Sequence, residues 1–171
     1  MRVTPSPTVA QAFASVPITF GIRDTRPDPT VVGKYVDDGF VVRTTDNVAQ
    51  YCSNRFGDML RTAGARLTEA PQAILAADLV EYRVDEGSTF AGLVRIRLTV
   101  RRAGLPDWSK DYEGTSKRWG KSHNPDNFNE ALSNSLEEVT SNILHDDDFG
   151  RALMSGPAPM PAPDGPPSAG G

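Results

Sequence analysis

The stretch VRIRLTVR at residues 94–101 decides the fold class, because apolar and polar side chains alternate in it without a break. Successive side chains of a β-strand point to opposite faces, so this pattern predicts a strand with one buried and one solvated face. The buried positions are Val94, Ile96, Leu98 and Val100, and the solvated positions are Arg95, Arg97, Thr99 and Arg101. Antiparallel sheets commonly have one packed and one solvated face.

The segments around this strand predict further strands. Residues 73–84 alternate imperfectly before the turn sequence DEGS, and residues 108–119 alternate aromatic with polar side chains after the turn sequence AGLPD. Residues 16–23 predict an earlier strand, and residues 31–42 contain two short apolar runs that suggest a hairpin. The positions assigned to the buried face of residues 73–84 are Ile74, Ala76, Val80 and Tyr82.

Two segments have the 3–4 spacing of amphipathic helices. The first starts at Thr45 or Asp46 and ends at Gly64, and the second starts at Asn124 with Pro125 in the first helical position. The predicted order is therefore β-α-β-β-β-α. It corresponds to an α+β fold with an antiparallel sheet of three to four strands and two helices packed on one face. Within it, Ile96 and Leu98 are expected to pack against Met59, Leu132 and Val139.

Proline divides the chain into three parts. Of 14 prolines, five lie in the first 29 residues and six in the last 17. Residues 1–14 are therefore predicted to be an extended leader, residues 15–154 a single α+β domain, and residues 155–171 a disordered Pro/Gly-rich tail. The leader lacks the charged and apolar regions of a signal peptide, so the chain is either cytoplasmic or follows a removed signal.

Composition excludes several classes of protein. The chain has 171 residues, 38% hydrophobic residues, a net charge of −4 and a pI near 5.2. No apolar run reaches the ~20 residues that a bilayer-spanning helix needs. The acidic balance gives no general attraction to nucleic acid, which we do not expect as a partner. A single cysteine excludes an internal disulfide framework and multi-cysteine metal sites.

The sequence offers few residues for catalysis or metal binding. The run His145-Asp146-Asp147-Asp148 has the residue types of a weak cation site, but acids after a helix are more often a solvated turn. Cys52 lies on the apolar face of the first predicted helix, so we expect a buried, inert thiol. Arg95 and Arg97 are expected to be solvated, with Asp78, Glu81 or Glu113 as cross-strand partners. No cofactor is predicted.

Two stretches resemble known proteins. The first is FGIRDTR at residues 20–26 followed by Val32-Gly33-Lys34, and the second is KDYEG at residues 110–114 followed by Arg118-Trp119-Gly120. Their order and spacing resemble the YajG-type lipoproteins of bacteria, over residues 15–143. The resemblance implies an envelope lipoprotein that faces the periplasm and is tethered, in the outer membrane, through an acylated N-terminal cysteine. This chain does not present that cysteine, and Cys52 lies inside a predicted helix.

The resulting hypothesis is a non-enzymatic binding or assembly module of the cell envelope. It would act through contacts with envelope proteins or with another copy of itself, and it would meet the membrane only through a lipid anchor outside this chain. One alternative is a small metal-binding protein or enzyme that uses residues 145–148, and another is a cytoplasmic adaptor with a Pro-rich tail. Arg, Trp and Tyr are enriched at protein interfaces. The predicted partner-binding residues are Asp24, Arg26, Lys34, Arg95, Arg97, Trp108, Tyr112 and Trp119.

Overall fold

The computed structural model describes residues 3–120 and 123–155. The elements are, in chain order, α1 (Pro7–Ser15), β1 (Ile18–Asp24), β2 (Val31–Tyr35), β3 (Val41–Arg43), α2 (Val48–Thr62), β4 (Ala73–Glu86), β5 (Phe90–Arg101), β6 (Trp108–Arg118), α3 (Pro125–Leu144) and α4 (Asp147–Met154). The α+β class is confirmed. The predicted number of elements is corrected, because this part of the chain forms six strands in a mixed sheet and four helices.

The sheet is built around β4. Strands β4, β5 and β6 form an antiparallel meander, as the turn sequences predicted. On the other edge of β4, β1 pairs in parallel with residues 73–79, and β2 pairs in parallel with residues 84–86. The short strand β3 pairs antiparallel with β2 and completes the sheet. The two parallel pairings join segments far apart in sequence, so local periodicity did not reveal them.

A register shift in β4 corrects the predicted phase of this strand. Ile74 is exposed, whereas Leu75, Ala77 and Leu79 are buried. The pairing with β5 shifts between Leu79 and Glu81, and beyond this point Tyr82 and Val84 are the buried residues. An extra residue in one strand moves the following side chains to the opposite face. The prediction was therefore right for Tyr82 and wrong for the first half of the strand.

The predicted extended leader is wrong from Pro7 onward, because these residues form α1. The hydroxyl of Ser6 accepts a hydrogen bond from the N–H of Val9, and Pro7 takes the first position of the helix, where its missing N–H costs nothing. Val9, Ala12 and Phe13 are fully buried. The helix packs against α4, where the rings of Phe13 and Phe149 meet edge to face with centroids 6.2 Å apart.

The core lies between the sheet and the helices. Helix α2 packs on β1, where Phe20 and Phe56 stack at 4.6 Å, and α3 crosses β5 and β6. Gly114 of β6 lies so close to α3 that an added Cβ would overlap the backbone of Ser135. Ile96 and Leu98 are fully buried, as the alternation in β5 predicted. Of the predicted tail, only Ser155 belongs to the described residues.

Candidate functional site

The predicted arginine stripe lies on the outer sheet face, the solvated face that carries Arg95 and Arg97. Both side chains are paired across strands: Arg95 contacts Glu81 and Glu113 at 2.8 Å, and Arg97 contacts Asp111 at 2.7 Å. The hydrogen bond between Arg97 and Asp111 lowers the pKa of the carboxyl group and raises that of the guanidinium. The expected partners Glu81 and Glu113 are confirmed for Arg95, whereas Asp78 pairs with Arg23. The cationic charge of this stripe is therefore locally compensated.

Asp24 and Arg26 form an ion pair where the chain passes from β1 to β2. The side chain of Arg26 is 5% exposed and that of Asp24 is 13% exposed, and their charged atoms lie 2.7 Å apart. Arg26 also donates to the carbonyl oxygens of Pro29, Val31 and Tyr82. The hydrogen-bonding groups of both predicted partner-binding residues are therefore used inside the domain.

The other predicted site residues do not share one surface. Lys34 is exposed on β2, and Trp119 is 78% exposed after the end of β6. Trp108 is half-buried against Phe149 of α4. Tyr112 lies on the opposite, helix-covered face of the sheet, where it is buried and its hydroxyl donates a hydrogen bond to Asp146.

The acidic run at residues 145–148 starts α4. Asp146 is the N-cap residue, and its carboxylate accepts hydrogen bonds from Tyr112, Lys110 and the backbone N–H of Asp148. Asp148 pairs with Arg151. The acids thus occupy a helix N-terminus, where the helix dipole favours them. Among residues 3–120 and 123–155, no group of His, Cys, Asp and Glu side chains is arranged to hold a metal ion.

A concave site that the sequence did not reveal lies elsewhere in the domain. A groove of about 830 Å³ opens between the β2–β3 hairpin and the N-terminal halves of α2 and α3, and we call it the α2–α3 groove. Its apolar and aromatic lining consists of Val32, Tyr35, Val42, Val48, Tyr51, Tyr82, Pro125, Phe128 and Leu132. Its polar lining consists of Arg43, Thr44, Asp46, Asn47, Gln50, Asn54 and Asn129.

Local signals position the helices that form this groove. Asn47 caps α2 by accepting a hydrogen bond from the N–H of Gln50, and Asn124 caps α3 by accepting one from Asp126. The cap places Tyr51 one turn into α2, where its hydroxyl lies 3.0 Å from the hydroxyl of Ser133 on α3. The sequence predicted the start of α3. It did not predict the groove, because the lining residues come from five separate elements and form no motif within one segment.

Tyr82 gives the groove an accessible hydroxyl on a largely buried side chain. Tyr82 lines the groove and is only 6% exposed. Its hydroxyl makes no hydrogen bond to another described residue. Burial raises the pKa of Tyr82 well above its usual value, so the hydroxyl stays protonated and able to donate. Because it is accessible from the groove, this hydroxyl can donate a hydrogen bond to a ligand that offers an acceptor.

Among the described residues that line the groove, the one cationic side chain is Arg43, and it is already paired. Arg43 contacts the carboxylate of Asp28 at 2.5 Å and donates a second hydrogen bond to the hydroxyl of Thr30. These bonds from Thr30 and Arg43 lower the pKa of Asp28 to about 2. A ligand in the groove would therefore be held by apolar contact and neutral hydrogen bonds rather than by attraction to a positive charge.

No model of a known protein family and no curated protein matches the sequence. Among solved structures, the chain is similar to protein XCC0632 from Xanthomonas campestris, family DUF330. The two share 15% identity with a TM-score of 0.65, over 90% of this chain and 91% of that chain. A structure described as an uncharacterized protein has 13% identity and a TM-score of 0.56, over 75% of this chain and 90% of that chain. These likenesses show the fold alone.

Solved structures of bacterial lipoproteins are also among the neighbours. Lipoprotein GNA1162 from Neisseria meningitidis has 11% identity and a TM-score of 0.38, over 71% of this chain and 95% of that chain. At this TM-score the likeness carries no argument about this chain. Across the residues that the structure describes, no helix combines the length and apolar character needed to cross a bilayer.

Proposed function

We propose that the chain is a non-enzymatic binding module of the bacterial cell envelope, of lipoprotein type and facing the periplasm. In this proposal it takes a segment of an envelope protein into the α2–α3 groove. The observation that carries the proposal is the groove itself, a concave site that apolar and aromatic residues line together with polar residues and the hydroxyl of Tyr82. Such cavities are the usual binding sites of folded domains.

The outer sheet face is a less favourable binding surface than the groove. Its arginines are paired with carboxylates on neighbouring strands, so a partner would have to break or desolvate these pairs to bind them. The groove, in contrast, offers apolar surface and a hydroxyl whose hydrogen-bonding capacity is unused within the described residues. Binding over the apolar part of the groove lining gains apolar contact.

The envelope location rests on the resemblance of residues 15–143 to YajG-type lipoproteins. In this proposal the membrane anchor is a lipid-bearing cysteine outside this chain, on its N-terminal side.

Site-directed photo-crosslinking in the native envelope tests the proposal. A photoreactive amino acid replaces Gln50 on the groove rim, and a second variant carries it at Thr99 on the outer sheet face. We expect a discrete protein adduct from position 50. The adduct should disappear when Asn129→Trp is added, because the indole fills the groove from an exposed rim position.

Asn134→Trp is the matched control for this experiment. Asn134 is exposed on the same helix as Asn129 but does not line the groove, so the adduct should remain. Thermal unfolding of both variants confirms that the fold is kept. An adduct that survives Asn129→Trp, or that forms equally from position 99, would overturn the groove as the binding site.

A further inference from the structure

The open edge of β3 narrows the chemistry of the segment that the α2–α3 groove binds. We propose that this segment is extended and basic, that it pairs with the open edge of β3 as an added strand, and that it places alternate side chains in the groove. This inference rests on the proposed function, because it gives the conformation and the charge of the segment bound there.

The described strands leave one edge of β3 without a neighbour. In the strand order β3-β2-β4-β5-β6, β3 is the end strand, and within the described residues it pairs with β2 alone. An edge strand presents a row of backbone N–H and C=O groups that can pair with an extended segment from another chain. Such a segment can therefore continue the sheet beyond β3.

The hydrogen bonds of the β2–β3 hairpin show which backbone groups face the open edge. The C=O of Phe40 accepts a hydrogen bond from β2 at 2.9 Å, and the N–H of Thr44 donates one to the residue before β2 at 2.8 Å. In an antiparallel strand, alternate residues direct their backbone groups to the same side. Val41 and Arg43 lie one residue inside these two positions, so their N–H and C=O groups point away from β2.

The open edge also borders the α2–α3 groove. Val42, Arg43 and Thr44 line the groove, so β3 forms part of its wall. Side chains of an added strand would alternate between the two faces of the sheet. Every second side chain would share the face of Val42, which is half-buried and packs against the core. These side chains would lie over the apolar and aromatic lining.

The charges around this edge favour a basic segment. Residues 28–47 contain four aspartates and two cations. Arg43 is paired with Asp28, whereas the carboxylate of Asp46 lines the groove and makes no hydrogen bond or ion pair with another described residue. The described lining thus offers no unpaired cation, but it does offer an unpaired carboxylate. A lysine or arginine of the segment can pair with Asp46 without displacing an existing partner.

Proline substitution in the position-50 crosslinking experiment tests the strand pairing. Val41→Pro removes one N–H from the open edge, and proline is tolerated in edge strands where the N–H faces solvent. Val41→Ala is the matched control, because it shortens the same side chain but keeps the N–H. We expect Val41→Pro to lower the adduct yield by about fivefold or more, since a hydrogen bond to the segment is lost. Val41→Ala should leave the yield near that of the parent.

A second pair of variants repeats the comparison at the other outward position. Arg43→Pro and Arg43→Ala both lose the ion pair with Asp28, and only the proline variant also loses the N–H. The yield should therefore fall further with Arg43→Pro than with Arg43→Ala. Thermal unfolding of all four variants shows at which positions the fold is kept, and the yields are compared there.

The charge of the segment is tested by Asp46→Asn, which should lower the adduct yield severalfold. Asp107→Asn is the control, because Asp107 is an exposed aspartate between β5 and β6 that does not line the groove. It should leave the yield unchanged. Mass spectrometry of the adduct identifies the crosslinked segment, in which we expect alternating apolar residues together with lysine or arginine.

The remaining outcomes contradict the proposal. Equal yields from the proline and alanine variants would show that no strand is added at β3. A crosslinked segment without basic residues, or one from a second copy of this chain, would also overturn the inference. If any of these results comes with an adduct that Asn129→Trp still removes, the proposed function stands and only this inference fails. A complete lack of adduct from position 50 would contradict both.

Discussion

At the scale of single residues, Arg26 is a buried charge that hydrogen-bonds Asp24 and three backbone carbonyl oxygens. Arg26→Ala should lower the free energy of unfolding by about 3–5 kcal/mol, because it leaves the carboxylate of Asp24 buried without its partner. Urea unfolding measures the change. Arg97→Ala is the control and should cost less than about 1 kcal/mol, since its side chain is 57% exposed and its ion pair is solvated. Equal losses in the two variants would show that the Arg26 contacts contribute no more than a surface pair.

Asp146 links the start of α4 to β6 and makes stability depend on pH. Burial alone would raise the pKa of Asp146, but hydrogen bonds from Lys110, Tyr112 and the N–H of Asp148 outweigh it and hold the pKa below its usual value. A carboxyl group whose pKa is depressed by folding stabilises the protein above its unfolded pKa of about 4, and this contribution is lost as the pH falls through the folded value.

The substitution Asp146→Asn isolates this charge, because asparagine caps helices about as well as aspartate. We expect the variant to be less stable than the wild type at pH 7 and the difference to shrink as the pH falls below about 4. Thermal unfolding across this range measures it. Asp107→Asn, which removes an exposed pair with Arg101, should change stability little at any pH. A difference that does not depend on pH would show that the charge of Asp146 is not responsible.

At the scale of elements, two glycines in strands test how α3 packs on the sheet. Gly114→Ala should lower the free energy of unfolding by about 1–3 kcal/mol or more, because the new methyl group overlaps backbone atoms of Ser135 and Val139. Gly21→Ala is the matched control in β1, where an added Cβ meets nothing within 4 Å. It should change stability by less than about 1 kcal/mol. Similar effects at both positions would contradict the close approach of α3 to β6.

The elements also show what local sequence predicts and what it does not. The phase of β5 and the start of α3 were predicted, because alternation around Ile96 and the Asn124-Pro125 cap are local signals. Helix α1 was missed, because its prolines resembled an extended leader although Pro7 opens the helix. The parallel pairing of β1 and β2 with β4 and the groove between five elements arise only from tertiary packing, which a pattern within one segment does not contain.

At the scale of the whole molecule, the rate at which Cys52 reacts with a thiol reagent measures how often the core opens. It is fully buried under α2, and burial raises the pKa of its thiol to about 12. We expect a thiol reagent to label the native protein very slowly, and labelling to rise with urea in parallel with loss of the circular dichroism signal. Ser53→Cys, a half-buried neighbour, is the control and should react without denaturant. Rapid labelling of Cys52 in the native protein would show that α2 opens locally.

The packing of α1 against α4 has a consequence for synthesis of the chain. Phe13 leaves the ribosome early, whereas its partner Phe149 is among the last described residues to be made. At ordinary translation speeds the two are separated by roughly 7 to 30 seconds. During this interval the apolar face formed by Val9, Ala12 and Phe13 lacks the cover that α4 provides in the folded domain. The first helix is therefore a segment that a nascent-chain chaperone would protect until α4 has been made.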